Sequence, residues 1–158
     1  MNASIGPSTA VRQGTVVEQL KAMGPFTHAV TVTFKRYEPR HCCFLREEFI
    51  EPTARHMLRR INQRWFGHAH HRYGKRIAAI VACAAAHKRQ HPHLHLAVQC
   101  PKHCSPEMFC EFIDQAADAT DWIHKHRIIK DYIDDGWIHY MTRAEHVVLW
   151  DLCHPASD

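Results

Sequence analysis

Two histidines at alternate positions of an apolar segment are the residues best suited to metal chemistry. His93 and His95 lie in the run HPHLHLAVQ at positions 91–99. Because successive side chains of a β-strand point to opposite faces, His91, His93 and His95 share one face and the leucines share the other. Imidazoles at positions i and i+2 are about 6–7 Å apart, a span that one divalent cation can bridge. The pattern predicts a preformed metal-binding site along this strand.

The elements that position these histidines follow from the periodicity of the chain. Residues 27–36, THAVTVTFKR, are rich in β-branched side chains and predict a strand, while apolar residues at three- and four-residue spacing between Pro52 and Gly67 predict an amphipathic helix. In chain order we predict helix 10–23, strand 27–36, helix 52–67, strand 76–83, strand 91–99, helix 107–117, a strand or extended segment 122–132 and helix 137–150. This order is typical of an α+β fold with an antiparallel sheet and helices packed mainly on one face.

The 158 residues suit one domain, for which we expect the bounds 26–150, preceded by an N-terminal extension with a short helix (1–25) and followed by a tail (151–158). The seven cysteines are odd in number and scattered, which argues against a disulfide framework. The longest uncharged apolar run, residues 77–86, is too short for a membrane helix of about 18–20 residues, and no signal sequence is evident at the start. We therefore expect a cytoplasmic protein without a membrane partner.

Charge is distributed unevenly along the chain. Residues 1–106 carry a net charge of +11 and residues 107–158 carry −7, with histidines counted as neutral. Basic residues interleaved with aromatic ones suit single-stranded nucleic acid, because cations displace counterions from phosphates and rings stack on bases. A solvated helix face is the alternative interpretation. The candidate DNA-binding residues are Arg55, Arg59, Arg60, Arg64, Arg72, Lys75 and Arg76.

Three motifs in their order resemble those of the HUH single-strand endonucleases. HLHLAVQ (93–99) resembles the histidine signature in the form found among rolling-circle replication initiators, THAVTVTFK (27–35) resembles the first motif, and GWIHYMTR (136–143) resembles the tyrosine motif. The likeness covers about residues 26–150. It implies a ferredoxin-like palm and metal-dependent nicking and rejoining of single-stranded or hairpin DNA through a 5′-phosphotyrosine. Such activity initiates rolling-circle replication or mobilises a plasmid- or phage-like element.

The resemblance assigns Tyr140 as the nucleophile and Arg143 as the cation that clamps the phosphate, where the family commonly has lysine. Tyr140 lies in the predicted last helix, whose expected buried stripe is Trp137, Met141, Ala144 and Val148. The competing residue, Tyr132, precedes a turn and is expected to pack at a strand end. A spacing of eight residues between the two tyrosines resembles the one-tyrosine branch of the family.

The third metal ligand of the family is missing from its expected position. Ala84 stands where initiators commonly have glutamate, and no acid occurs between Glu51 and Glu107. The substitutes, in order of preference, are His87, His91 and Cys83. A site finished with oxygen ligands and water would accept Mg²⁺ or Mn²⁺, whereas nitrogen or sulfur ligands favour Mn²⁺ or Zn²⁺.

Two readings from other classes compete with an enzyme. A protein on the same scaffold could bind single-stranded or hairpin DNA without cutting it, which the missing carboxylate favours. A histidine-rich metal-handling protein would make the strand and tyrosine motifs coincidental. A Cys100–Cys104 loop resembles half of a zinc site, but no second ligand pair lies at a suitable distance. No glycine-rich phosphate loop is evident, so a helicase or other replication protein would be a separate partner.

Overall fold

The computed structural model describes residues 9–84 and 91–157. Within these residues no helix has the length and apolar character needed to cross a membrane. The helices are α1 (Thr9–Lys21), α2 (Ile50–Phe66), α3 (His68–Tyr73), α4 (Pro106–Asp118) and α5 (Trp137–Met141). The strands are β1 (His28–Phe34), β2 (Tyr37–Glu38), β3 (Cys43–Phe44), β4 (Ala79–Ala84), β5 (His93–Val98), β6 (Ile123–Lys130) and β7 (His146–Val148).

Five strands form one antiparallel sheet in the order β6-β1-β5-β4-β7, and β2 pairs with β3 in a separate ribbon. The predicted α+β class with an antiparallel sheet is confirmed. The two histidines lie on β5, the central strand, where Thr31 of β1 and Ala82 of β4 are the neighbours of His95. The polar connection HKRQ (87–90), which predicts an antiparallel hairpin, lies outside the described residues. A strand paired on both sides provides a rigid base for its side chains.

The first face of the sheet carries α2 and α4. Met57, Leu58 and Ile61 of α2 and Phe109 and Ile113 of α4 are buried in one cluster with the leucines of β5. The three- and four-residue spacing in α2 puts its apolar side chains on one side of the helix, so the arginines face solvent. This cluster is the larger part of the core.

Local signals set the ends of these two helices. Gly67 follows α2 with φ 53°, a left-handed conformation that costs glycine little. Ser105 precedes α4, and its hydroxyl oxygen accepts the backbone N–H of Met108 at 3.1 Å. Pro106 occupies the first position of α4, where its missing N–H has no intrahelical partner to lose.

The second face of the sheet carries α1 and α5, which corrects the expectation that helices pack mainly on one face. Val17 and Leu20 of α1 are buried with Ile138 and Met141 of α5 against the small side chains of β4 and β5. Because this face of β4 and β5 carries alanines, the apolar sides of α1 and α5 can pack close to the sheet. We expected residues 1–25 to be an extension, but Val17 and Leu20 in this range lie in the core.

The chain after Tyr140 differs from the predicted helix 137–150. The helix α5 ends at Met141, and β7 then pairs with β4, with His146 opposite Ala84. Ala144, expected in a buried stripe, is exposed in the intervening turn. The run HVV has high strand propensity, and the open edge of β4 offers it backbone partners. The sequence does not predict β2, β3 or α3.

The residues after 150 also pack on the sheet. Leu152 is buried in the larger core cluster, and the backbone N–H of His154 donates to the carbonyl oxygen of Ala79 at 2.9 Å. The segment expected to be a tail therefore extends the edge of β4 beyond β7.

The burial difference between two isoleucines predicts a difference in stability. Ile61 is 0% exposed in the core, whereas Ile128 on β6 is 50% exposed. We expect Ile61→Ala to lower the free energy of unfolding by about 2–5 kcal/mol, because it removes buried methylenes and leaves a cavity. Urea unfolding followed by circular dichroism measures the change. Ile128→Ala is the matched control and should cost far less; equal losses in the two variants would contradict the assigned core.

Candidate active site

His93 and His95 are brought together on the second face of the sheet. Their ring centres lie 4.7 Å apart, with the ring planes at 89° to each other. The intervening Leu94 points to the opposite face and is fully buried there. His95 is 3% exposed, whereas His93 is half-buried at the rim. The alternation of β5 thus separates an apolar core from a cluster of rings.

Hydrogen bonds orient both imidazoles. The His91 carbonyl oxygen lies 3.1 Å from Nδ1 of His93, and since a carbonyl can only accept, Nδ1 of His93 carries a proton. Nδ1 of His95 lies 3.1 Å from Oγ1 of Thr31 on the neighbouring strand. Nε2 of His95 is buried without a hydrogen-bond partner among the described residues. Hydrogen bonds of this kind on one ring nitrogen leave the other free to bind a metal ion.

The surroundings of His95 favour its neutral form. Burial, together with the smaller effects of the neighbouring His93 and His146, lowers the pKa of His95 to about 3. A neutral imidazole is the form that binds metal ions. The buried ring is therefore ready to be a ligand throughout the neutral pH range.

Tyr140 lies directly against His95. Its ring centre is 5.0 Å from that of His95, and it stacks on Trp137 at 5.5 Å. The indole N–H of Trp137 donates to the carbonyl oxygen of Leu96 at 3.1 Å, which ties α5 to the central strand. Tyr132, by contrast, is 57% exposed beyond the end of β6, with the Lys130 ammonium 5.4 Å from its ring centre. The structure therefore brings Tyr140, and not Tyr132, to the histidines.

Arg143 lies beside the same tyrosine. Its guanidinium carbon is 4.8 Å from the centre of the Tyr140 ring, in the exposed turn that follows α5. A guanidinium over an aromatic face is held by cation–π attraction and keeps its hydrogen-bond donors available for an anion. Arg143 thus lies next to Tyr140, as the sequence predicts, through a contact with the face of the ring.

His146 is the site residue that sequence reasoning missed. Its ring centre lies 5.1 Å from that of His95 and 5.1 Å from that of Tyr140. Its Nδ1 is buried without a hydrogen-bond partner among the described residues. Assigning residues 137–150 to a helix hid this residue, because a helix would not return it to the sheet. The strand propensity of the run HVV was the available signal.

The three expected substitutes for the missing carboxylate have different positions. The exposed His91 precedes β5, and its Nδ1 accepts a hydrogen bond from Nε of Arg36 at 3.3 Å. Cys83 is buried in the core of the first face, and burial raises the pKa of its thiol to about 11, which disfavours a thiolate ligand. His87 lies outside the described residues. Ala84, at the position expected for the acid, is buried between His93 and His146 across the strands.

The donor chemistry of the cluster fits a divalent ion, because two buried nitrogens, His95 Nε2 and His146 Nδ1, have no hydrogen-bond partner in residues 14–84 and 91–157. As the side chains are placed, however, residues 14–84 and 91–157 contain no group of three or more histidine, cysteine, aspartate or glutamate side chains that could hold a metal ion. The rings of His93 and His95 stand edge to face. The residues suited to a metal site are thus present, but their rings pack against one another instead of surrounding an ion.

The predicted DNA-binding arginines of α2 lie away from this cluster. Arg55, Arg59, Arg60 and Arg64 are exposed on α2, which packs on the first face, opposite the histidines. Some have local partners: Nη2 of Arg55 lies 2.6 Å from Glu51, and the Arg64 guanidinium lies 5.4 Å from the Phe112 ring centre. The others expected to bind DNA, Arg72, Lys75 and Arg76, lie in or after α3, with Lys75 half-buried.

Comparison with protein-family models, with curated proteins and with solved structures gives no match to this chain. The family resemblance therefore rests on the three motifs.

The low pKa of His95 predicts a pH-dependent stability. The unfolded chain takes up a proton on this residue below its ordinary pKa of 6.5, whereas the folded chain does so only near 3. Stability from this group is thus complete above pH 6.5 and decreases as pH falls toward about 3. We expect His95→Gln to reduce the loss of unfolding free energy between neutral pH and pH about 5.

Urea unfolding at several pH values measures this effect, and His139→Gln, on the exposed side of α5, is the control that should retain the wild-type dependence. An NMR titration adds a direct check. If the chemical shift of a His95 ring proton changed with a midpoint near pH 6.5, the low pKa of His95 would be contradicted.

Proposed function

We propose that this chain is a metal-dependent endonuclease that cuts and rejoins single-stranded DNA, with Tyr140 as its nucleophile. The observation that carries the proposal is the 5.0 Å separation between the rings of Tyr140 and His95, within a cluster that also contains His93. A phenol beside an imidazole pair has the components of phosphoryl transfer to tyrosine. The motif resemblance adds the biological setting, which is rolling-circle replication or mobilisation of a plasmid- or phage-like element.

The proposed reaction exchanges one phosphodiester for another. The phenol oxygen of Tyr140 forms a bond to phosphorus, and the bond from phosphorus to the 3′ oxygen of the preceding nucleotide breaks. The phenol proton is lost, and the leaving oxygen gains a proton to become a 3′ hydroxyl. The 5′ phosphate remains on Tyr140. Attack by a 3′ hydroxyl reverses the exchange, so that rejoining requires no nucleotide cofactor.

The side chains of the cluster have separate tasks in this scheme. His93 and His95 would hold a divalent ion, Mg²⁺, Mn²⁺ or Zn²⁺, whose chemistry there is polarisation of the phosphoryl oxygen. Trp137 fixes the Tyr140 ring by stacking at 5.5 Å and by its hydrogen bond to the central strand. Arg143 stabilises the negative charge that develops on the phosphate, because its guanidinium lies over the same ring.

Single-stranded DNA would approach across the uncovered part of the second face. Thr31 and Thr33 on β1 are half-buried, and Ile128 on β6 is 50% exposed beside them. These residues lie in register with His95 and His93, which makes a continuous surface leading to the cluster. The arginines of α2 would then contact DNA elsewhere in its path, because they lie on the opposite face.

Non-catalytic binding of single-stranded or hairpin DNA is the second candidate. The observation that favours it is Ala84, which leaves the strand next to the histidines without a carboxylate. The two candidates differ in whether a covalent adduct forms.

Replacing the nucleophile tests the proposal. The probe is a pool of single-stranded oligonucleotides of randomised sequence, labelled at the 3′ end, incubated with Mn²⁺ and analysed on denaturing gels. We expect a labelled covalent adduct with the wild-type chain and with Tyr132→Phe, and none with Tyr140→Phe, because only Tyr140 faces the histidines. An adduct that survives Tyr140→Phe would refute the assignment, and wild-type DNA binding without any adduct would favour the non-catalytic candidate.

Two arginines on opposite faces provide a matched pair for the phosphate contact. At saturating DNA we expect Arg143→Gln to slow adduct formation by about 10–100-fold, because a charge-stabilising donor at the reacting phosphate is lost. Arg59→Gln should weaken binding and reduce its salt dependence while leaving the saturated rate unchanged. Single-turnover rates and binding titrations measure the two effects. Equal rate losses in both variants would contradict a specific role of Arg143.

A further inference from the structure

We infer that His146 is the third metal ligand of this site. The site therefore binds transition-metal ions, which prefer nitrogen ligands, more tightly than it binds Mg²⁺. The inference rests on the proposed metal-dependent function and deepens it, since it names the residue that completes the site and the class of ion.

The position of His146 across the sheet is the first observation. Ala84 on β4 lies opposite His93 of β5 on one side and opposite His146 of β7 on the other. Directly paired residues of antiparallel strands project to the same face, so both imidazoles flank one small side chain. A methyl group at Ala84 leaves room that a longer side chain would fill. The ligand missing from β4 is thus replaced from the next strand.

The second observation is a pair of buried nitrogens. Nε2 of His95 and Nδ1 of His146 both lack a hydrogen-bond partner within the described part of the chain. A buried polar atom without a partner destabilises the fold. Two such atoms, on rings 5.1 Å apart and without partners among the described residues, are suited to ligate one metal ion.

The ring spacing is compatible with one ion. With a bond of about 2.0–2.1 Å from the metal to nitrogen, an imidazole centre lies about 3.2 Å from the ion. Two such rings at angles of about 90–110° have their centres about 4.5–5.2 Å apart. The centres of His95 and His93 are 4.7 Å apart, and those of His95 and His146 are 5.1 Å apart.

The rings are packed edge to face or tilted, so ligation by all three requires their side chains to turn about existing bonds. The ring planes of His95 and His146 are inclined at 39°, and those of His93 and His95 at 89°. Such rotation changes rotamers and leaves the backbone register intact. The three-imidazole set has no anionic oxygen, which is the ligand type that Mg²⁺ prefers, whereas imidazole suits Zn²⁺ and Co²⁺.

Cobalt(II) binding tests the inference without reference to cleavage. Co²⁺ is titrated into the full chain and followed by calorimetry and by visible absorption, which reports on ligand geometry. We expect the wild type to bind Co²⁺ more tightly than Mg²⁺. His146→Ala should lower Co²⁺ affinity by at least about 100-fold. Removing a group that only hydrogen-bonds to a ligand lowers metal affinity by about 10–100-fold, and removing a ligand should lower it more. His139→Ala, on the exposed side of α5, is the matched control and should bind as the wild type does.

A second variant distinguishes ligation from a structural role of His146. Ala84→Glu combined with His146→Ala restores a ligand from the adjacent strand, and we expect it to recover metal binding with a preference shifted toward Mn²⁺ and Mg²⁺. Circular dichroism verifies the fold of each variant. Recovery supports ligation, because a glutamate at position 84 does not restore packing lost at position 146. A folded double variant that fails to regain binding would count against the proposed site.

The outcomes for this inference and for the proposed function are separable. If His146→Ala keeps wild-type Co²⁺ affinity while His95→Ala loses it, the inference fails and a metal site on the paired histidines survives. If the wild type binds neither Co²⁺ nor Mn²⁺, both the inference and the metal-dependent function fail.

Discussion

The burial of one imidazole, that of His95, constrains the rest of the site. A histidine that is 3% exposed on a central strand can satisfy its polar atoms only through neighbours on adjacent elements. Thr31 of β1 satisfies one nitrogen, and the other has no protein partner in the described residues. Trp137, Tyr140 and His146 surround the ring at centre distances of 5.3, 5.0 and 5.1 Å. The elements β1, α5 and β7 thus each place a side chain against this ring.

The two faces of the sheet divide stability from chemistry. On the first face, large apolar side chains of β1, β4 and β5 pack under α2 and α4 and form the main core. On the second face, alanines of β4 and β5 leave space for aromatic and imidazole rings and for the short helix α5. Because strand side chains alternate, one strand can serve both purposes without compromise. The same alternation separates the α2 arginines from the candidate active site.

The sequence predicted the parts of this arrangement that depend on short-range pattern. The alternation of HLHLAVQ placed His93 and His95 on one face, and the spacing of Met57 and Ile61 predicted α2, because both patterns follow from local geometry. The end of the chain depends on long-range pairing instead. Residues 146–148 form a strand because β4 has an open edge, and no local pattern reveals that edge. His146 was missed for this reason.

Contacts between distant residues also explain why the third-ligand candidates ranked from sequence did not include His146. His91 is two residues from His93, yet its ring bonds to Arg36, whereas His146 is far along the chain and adjoins His95. Cys83 is next to Ala84, but strand alternation directs it into the core of the other face. Residues that are close in sequence are not always close in the sheet. Only the register of the strands shows which side chains are neighbours.

Peptide mapping of the protein–DNA adduct by mass spectrometry tests the central claim most directly, because it identifies the atom that joins protein to DNA. After incubation with single-stranded DNA and Mn²⁺, followed by nuclease and protease digestion, the assignment of Tyr140 as the nucleophile predicts a nucleotide phosphate on the peptide that contains Tyr140, linked through its phenol oxygen. A nucleotide phosphate on Tyr132, on a histidine or on a serine would contradict it.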